Sequence, residues 1–274
     1  MIGSDGIDPM RRIEVMGIVN LTPDSFFEGS RTSSVAAAVE RAARMVAEGA
    51  DILDLGACST RPGAEYVSAS EEWRRLEGPL KAIREAFPLL RLSVDTFRSE
   101  IVRRAFDAVG EIIVNDISAG EEDPGMLPVV GSLGLPFVAM HKRGTPSTMA
   151  SLTDYPEGVV AAVRNYFSEF ASRADEAGID DWILDPGFGF AKSIEQNYEL
   201  LAHLDEVLIP GHRTLVGLSR KSMIYKSLGI TPEDSLPQTQ VLNLAALERG
   251  ADILRVHDVA ECLRTVATYR RLQA

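Results

Sequence analysis

The stretch "EGADILDLG", residues 48–56, recurs near the end of the chain as "RGADILRVHD", residues 249–258. In both, a helical pattern ends at glycine, an Ala-Asp pair leads into an Ile-Leu strand, and the strand breaks into polar residues. Glycine suits such a helix end because it takes the left-handed conformation without steric cost. "AGIDDWILDPG", residues 177–187, repeats the theme. Recurrence of one strand-and-helix unit along a chain points to stacked copies of that unit.

Working outward, the same alternation fills the chain. Val35, Val39, Ala42, Ala43 and Val46 sit at helical spacing, with Arg41, Arg44 and Glu48 on the other side. A first strand is expected over 16–19 and a second over 50–56. Further strands are expected over 91–95, 111–115, 136–140, 182–184, 214–217 and 252–256. Between them the spacing predicts helices near 70–86, 98–109, 125–133, 157–177 and 194–205, a helical region over 222–249, and a closing helix from 259. Eight β runs, each followed by helix, are the signature of an α/β chain folded as a single (β/α)8 barrel. The competing arrangement is an open doubly wound sheet. A length of 274 residues suits the barrel, which typically needs about 250. No Gly/Ser linker or shift in composition marks a second domain. "MIGSDGIDPM" reads as part of a flexible leader over 1–12, with Met10 as an alternative start, and the barrel is expected to occupy 13–274.

Charge and composition narrow the partners. Lys and Arg number 28 against 40 Asp and Glu, for a net charge of −12, which argues against a nucleic-acid partner. An anionic small molecule stays open, because a few clustered bases can reverse the local potential. No apolar run approaches the ~18 residues of a membrane span, and the N-terminus lacks the pattern of a signal peptide, so no membrane partner is expected and the location defaults to the cytoplasm. The two cysteines, Cys58 and Cys262, lie far apart with no CxxC or paired histidines, which suggests neither a disulfide framework nor a zinc site.

In a barrel the loops after the strands share one face, where active sites sit. The predicted strand ends deliver Asn20; Ser59 to Gly63; Asp95 and Thr96; Asn115 and Asp116; His141; Asp185; Ser219 to Ser222; and Arg255 to Asp258. Singly, Asp95 and Asp116 read equally well as helix caps, "DPGFGF" (185–190) as a turn, and His141 and His257 as structural histidines. Eight arrivals at one mouth are harder to explain that way. Asp95, Asn115 and Asp185 suit a flat heterocycle with several N–H donors. Asn20, Arg61, Lys221, Arg255 and His257 suit a phosphate or diphosphate, with Mg²⁺ as a candidate companion.

Taken together, "NLTPDSF", "STRPGA", "SVDT", "NDIS", "MHKRG", "DPGFGF", "GLSRKS" and "RVHDV" resemble, in order and position, the motifs of the dihydropteroate synthase family, from about residue 14 to the C-terminus. The resemblance implies a TIM barrel, usually homodimeric, that condenses 6-hydroxymethyl-7,8-dihydropterin diphosphate with p-aminobenzoate to 7,8-dihydropteroate and diphosphate in folate synthesis. It also implies a sulfonamide target. Carried over by motif, Asp95, Asn115, Asp185 and Lys221 would hold the pterin. Asn20, Arg61, Arg255 and His257 would hold the diphosphate, Asn20 through Mg²⁺. Thr60, Arg61, Pro62, Phe190, Lys221 and Ser222 would hold p-aminobenzoate. Asp95, Lys221, Arg255, His257 and Arg61 would carry catalysis, in an SN1-like departure of diphosphate. A first loop with Asp24, Ser25, Phe26 and Glu28 would fold over the site. Two loops depart from the family pattern: "SFFEGS" stands for the usual "SFSDGG", and Cys58 for a glutamate. A methyltransferase of the related folate/corrinoid barrels and an inactive pterin-binding homologue are the alternatives.

Overall fold

In the computed structural model, which describes residues 11–21, 31–58, 67–144 and 148–273, eight parallel strands pair in chain order. The last closes on the first: Glu14 lies opposite Ile253 and Gly17 opposite Val256. That pairing makes a barrel and excludes the open sheet. The strands are β1 Glu14–Asn20, β2 Ile52–Gly56, β3 Arg91–Asp95, β4 Ile113–Asp116, β5 Phe137–Met140, β6 Trp182–Asp185, β7 Arg213–Val216 and β8 Ile253–Val256. Around them run α1 Arg31–Glu48, α2 Ala69–Ala86, α3 Ser99–Val109, α4 Met126–Leu133, α5 Val159–Ala177, α6 Ile194–Ala202, α7 Ser222–Leu228, α8 Leu236–Glu248 and α9 Val259–Leu272.

The predicted elements match these within about two residues, with two exceptions. The helix expected over 194–205 ends at Ala202, and a separate 3-10 turn follows at Leu204–Glu206. The helical region expected over 222–249 is two helices. Gly229, at φ +65°, ends α7 in the left-handed conformation, and Pro232 opens a 3-10 turn that leads into α8. Gly229 and Pro232, with the polar residues Thr231 and Glu233 to Ser235, mark this break in the sequence. Arg11 and Arg12, placed in the leader by sequence, are tied to the base of the barrel. Arg11 donates to the Tyr269 hydroxyl (2.9 Å) and to the carbonyls of Leu247 and Ala251.

Alternation along a strand places residues i and i+2 on one face. Met16, Ile52, Ile113, Val138, Ile183, Leu215 and Ile253 form one buried cluster, apart from the larger core between strands and helices. They are the inward-facing apolar layer. Two residues further along the same strands come Ile18, Asp54, Asn115, Met140, Asp185, Gly217 and Arg255. The barrel interior therefore turns from apolar to polar in a single step toward its C-terminal mouth.

Below the apolar layer, the Glu14 carboxylate is 1% exposed and takes three arginines: Arg91 at 2.6 Å, Arg213 at 3.1 Å and Arg12 at 2.6 Å. This cluster closes the base. Glu14→Gln is expected to lower stability by about 2–3 kcal/mol in urea denaturation, less than a fully buried pair because the arginines keep some water. Turnover should be unchanged, since the mouth lies at the other end. Wild-type stability in the variant would remove the cluster from the account of barrel closure.

Candidate active site

The polar layer is organised by a residue that the motif reading passed over. Asp54, in the middle of β2, is fully buried and accepts from three strands. Ser93 Oγ on β3 donates to Oδ1 at 2.6 Å, Asn115 Nδ2 on β4 to Oδ2 at 3.1 Å, and Arg255 Nε on β8 to Oδ2 at 2.7 Å. A buried carboxylate is tolerated when cations and donors surround it in this way. The sequence signal was an aspartate inside an otherwise apolar strand, "ILDLG". Attention to strand ends hid it.

Arg255 bridges two carboxylates. Its Nη2 reaches Asp54 Oδ2 at 2.6 Å and Asp95 Oδ2 at 2.9 Å. Burial opposes the guanidinium charge, but Asp54, Asp95 and Asp185 outweigh it and raise the Arg255 pKa. Among the described residues Nη1 has no acceptor. Arg255 is thus held by two carboxylates, with one edge left over. Burial also pushes the Asp95 carboxyl up to about 7, against the pull of Arg255 and with help from Asp54, Glu72 and Asp116. Asp95 does not cap a helix. Asp116 instead caps its own turn, accepting from Ser118 N (2.7 Å) and Gly120 N (2.8 Å).

Across the mouth, Asp185 ends β6 with 8% exposure, and its Oδ1 accepts from Gly187 N at 2.8 Å. Burial raises its pKa, with Lys221 opposing. Lys221, just before α7, donates to the Phe188 carbonyl and lies 5.0 Å from the centre of the Phe190 ring. Burial brings its pKa down to about 8, with Asp185 opposing and Arg255 assisting. Ser222 follows as the first residue of α7.

His257 contributes no resident charge. Burial, Arg255 and Arg41 bring its pKa down to about 4. Ser219 Oγ accepts the His257 backbone N–H at 3.3 Å and lies 3.0 Å from Nδ1. When the hydroxyl donates to Nδ1, Nε2 carries the ring proton and stands free as a donor. A cleft of about 150 Å³ beside His257 is lined by Arg41, Arg44, Met45 and Glu48. Arg41 adds positive potential that was not legible in the sequence, because a lone arginine on a helix face is ordinary.

Asn20 closes β1 opposite Gly56 at the mouth, half-buried. Its chemistry fits Mg²⁺, which takes one or two protein oxygens and otherwise keeps substrate phosphates and water. Among the described residues no set of three His, Cys, Asp or Glu side chains is placed to hold a metal alone. Thr60, Arg61 and Pro62, and the first-loop residues Asp24, Ser25, Phe26, Phe27 and Glu28, lie outside the described residues. His203 and His212 are structural: His203 meets Glu206 at 2.8 Å and His212 stacks on Trp182 at 4.0 Å. No helix among the described residues is long and apolar enough to cross a membrane.

A closed parallel barrel with carboxylates, an amide and cations gathered at its C-terminal mouth is the layout of a barrel enzyme. Residues 16–257 match the family model described as pterin binding enzyme. The chain is 43% identical to the dihydropteroate synthase of Escherichia coli K12, covering 95% of this chain and 90% of the relative. It is 42% identical to the Xanthomonas albilineans dihydropteroate synthase solved with 4-aminobenzoic acid, with a TM-score of 0.88 over 96% of this chain and 94% of that one. The X. albilineans enzyme solved with 7,8-dihydropteroate is 39% identical, with a TM-score of 0.84 over 98% and 95%. The chain belongs to the pterin-binding enzyme family, among the dihydropteroate synthases.

Proposed function

We propose that this mouth joins 6-hydroxymethyl-7,8-dihydropterin diphosphate to p-aminobenzoate by an SN1-like path, giving 7,8-dihydropteroate and diphosphate. The observation that carries it is the polar layer, where Arg255 is clamped between Asp54 and Asp95 with one edge left toward an anion. Asp95, Asn115, Asp185 and Lys221 accept from and donate to the pterin ring. Arg255 Nη1 and His257 Nε2–H donate to the diphosphate. Such fixed donors stabilise charge as it develops on a leaving group. Asn20 would hold Mg²⁺, which would neutralise charge on the diphosphate.

The C–O bond to diphosphate breaks with its electron pair leaving on oxygen. The cation on the pterin methylene is stabilised by Asp95 and Asp185. The arylamine nitrogen then forms the new C–N bond and gives its proton to solvent. In this proposal Lys221, Phe190 and Ser222 border the arylamine, with Thr60, Arg61 and Pro62 contributing from outside the described residues. The protein is further proposed to work as a cytoplasmic homodimer.

The test is a turnover assay with both substrates. Dihydropteroate formation that stops without Mg²⁺ or without p-aminobenzoate is expected. Corrinoid-dependent methyl transfer, or pterin binding with no product, would overturn the proposal. Asp95 adds a linked prediction. Its carboxyl holds a proton below about pH 7, and an N–H-donating pterin needs it ionised. Pterin binding at pH 6 should therefore release protons, seen as a dependence of calorimetric heat on buffer ionisation enthalpy, and Asp95→Asn should abolish that dependence.

A further inference from the structure

The loop after β6, residues 186–191, has a buried cation inside it that the chemistry above does not use. Lys192 is 8% exposed, and its ammonium lies within hydrogen-bond reach of three acceptors. These are the Gly187 carbonyl at 3.0 Å, the Phe190 carbonyl at 3.1 Å and His141 Nδ1 at 3.0 Å. Burial pulls the Lys192 pKa down to about 7, with Asp185 opposing, and in the ammonium form its three N–H donors meet three acceptors. His141, buried at the end of β5, is held neutral by burial and by Lys192, so Nδ1 is free to accept.

The loop needs this support. Gly187, Gly189 and Ala191 all have positive φ, at +69°, +82° and +50°. For Ala191 that conformation costs roughly 1–2 kcal/mol. At Gly187 a Cβ would stand 2.0 Å from the His141 carbonyl oxygen, so the loop backbone is pressed against the end of β5. On its outer side the loop is held by Asn197, which accepts from Gly189 N at 2.6 Å, and by the Tyr155 hydroxyl, which donates to Ala191 O at 2.9 Å. The inner side is held by Lys192.

The loop presents two groups to the mouth: the Phe188 carbonyl, which accepts from Lys221, and the Phe190 ring, on which Lys221 rests. We propose that Lys192 is a positioning residue for the arylamine half of the reaction: by filling the loop it sets the Phe188 carbonyl and the Phe190 ring, and through them Lys221. The inference rests on the function proposed above. The two substrates should feel Lys192 unequally, because the loop touches one of four groups expected on the pterin, Lys221, but both Lys221 and Phe190 beside the arylamine. Asp95 and Asn115 are fixed by strand pairing, and Asp185 ends a paired strand whose carbonyl accepts from His141 N. Phe190 and the acceptor of Lys221 lie on the loop itself.

The experiment is Lys192→Met in the full chain, with steady-state kinetics for both substrates and calorimetry with unreactive 6-hydroxymethyl-7,8-dihydropterin. The expected result is a rise of about tenfold or more in KM for p-aminobenzoate and a fall of about tenfold in kcat, with pterin affinity held within about threefold, because displacement of a positioned group by an ångström costs rates on this scale. A purely structural lysine would lower the folded fraction and leave both KM values of the folded enzyme alone.

His141→Gln and His141→Leu supply the second arm. Glutamine keeps an acceptor for Lys192 and should stay near wild type, whereas leucine removes one of three and should raise the arylamine KM in the same direction as Lys192→Met. If Lys192→Met does not fold, this pair decides the matter. A folded Lys192→Met with arylamine KM within twofold of wild type, equal losses for both substrates, or His141→Leu indistinguishable from His141→Gln would each overturn the proposal. A wild-type protein without turnover would instead refute the proposed function.

Discussion

Arg255→Met is expected to lower kcat/KM for dihydropteroate formation by about 10³-fold, the scale on which loss of a preorganised charge-stabilising donor is felt. Two contributions add. The departing diphosphate loses the donor edge that Nη1 offers. Asp54 and Asp95 also lose the guanidinium they share at 2.6 and 2.9 Å, and two buried carboxylates then face each other with no cation between them. Removing one partner of a buried ion pair typically costs about 3–5 kcal/mol, so the folded fraction must be measured with the rate. Arg255→Lys should recover little, because an ammonium cannot span both carboxylates and still present a third donor. Activity of the folded methionine variant within tenfold of wild type would show that Arg255 serves the barrel and not the reaction.

The second large effect is expected at Asp54, which touches no substrate in the proposed reaction. Asp54→Ala leaves Ser93 Oγ, Asn115 Nδ2 and Arg255 Nε without their acceptor in a fully buried place. Each orphaned donor costs about 1–3 kcal/mol, and more for the charged one. Asn115 and Arg255 lose the atom that orients both, so kcat/KM should fall by about 10²–10³-fold as well. Asp54→Asn separates charge from shape. An asparagine can accept from Arg255 and Asn115 while donating to Ser93 Oγ, so it should be markedly more stable than the alanine variant. Denaturation and kinetics on both variants check this. Equal stability of the two would mean that hydrogen bonding at Asp54 contributes little.

Much of the fold was legible because its signals are local. The Ala-Asp-Ile-Leu units, the glycines after helices and the regular spacing of β runs each reflect a requirement met within a few residues. Barrel closure was legible only through length and count, since the pairing of Glu14 with Ile253 joins opposite ends of the chain. The break between α7 and α8 also carries a local signal, Gly229 and Pro232 with a polar stretch, which a single helical region over 222–249 did not resolve. In the site, residues at strand ends stood out because polar side chains there interrupt an apolar run. Asp54 and Lys192 did not. One lies inside a strand and the other beyond its loop, and their importance comes from partners remote in sequence, such as Arg255 and His141. The neutrality of His257 was likewise invisible, since it depends on burial and on arginines from other elements.

The cluster of arginines on Glu14, together with the apolar layer above it, leaves the barrel with a single entrance. A vessel open at one end imposes a queue. In the proposed reaction, the pterin against Asp95 and Asn115 would arrive before the arylamine bordered by the Phe190 loop, and would leave after it. On the proposed reaction, the order in which the two substrates enter would then be set as much by the end of the barrel that does no chemistry as by the end that does.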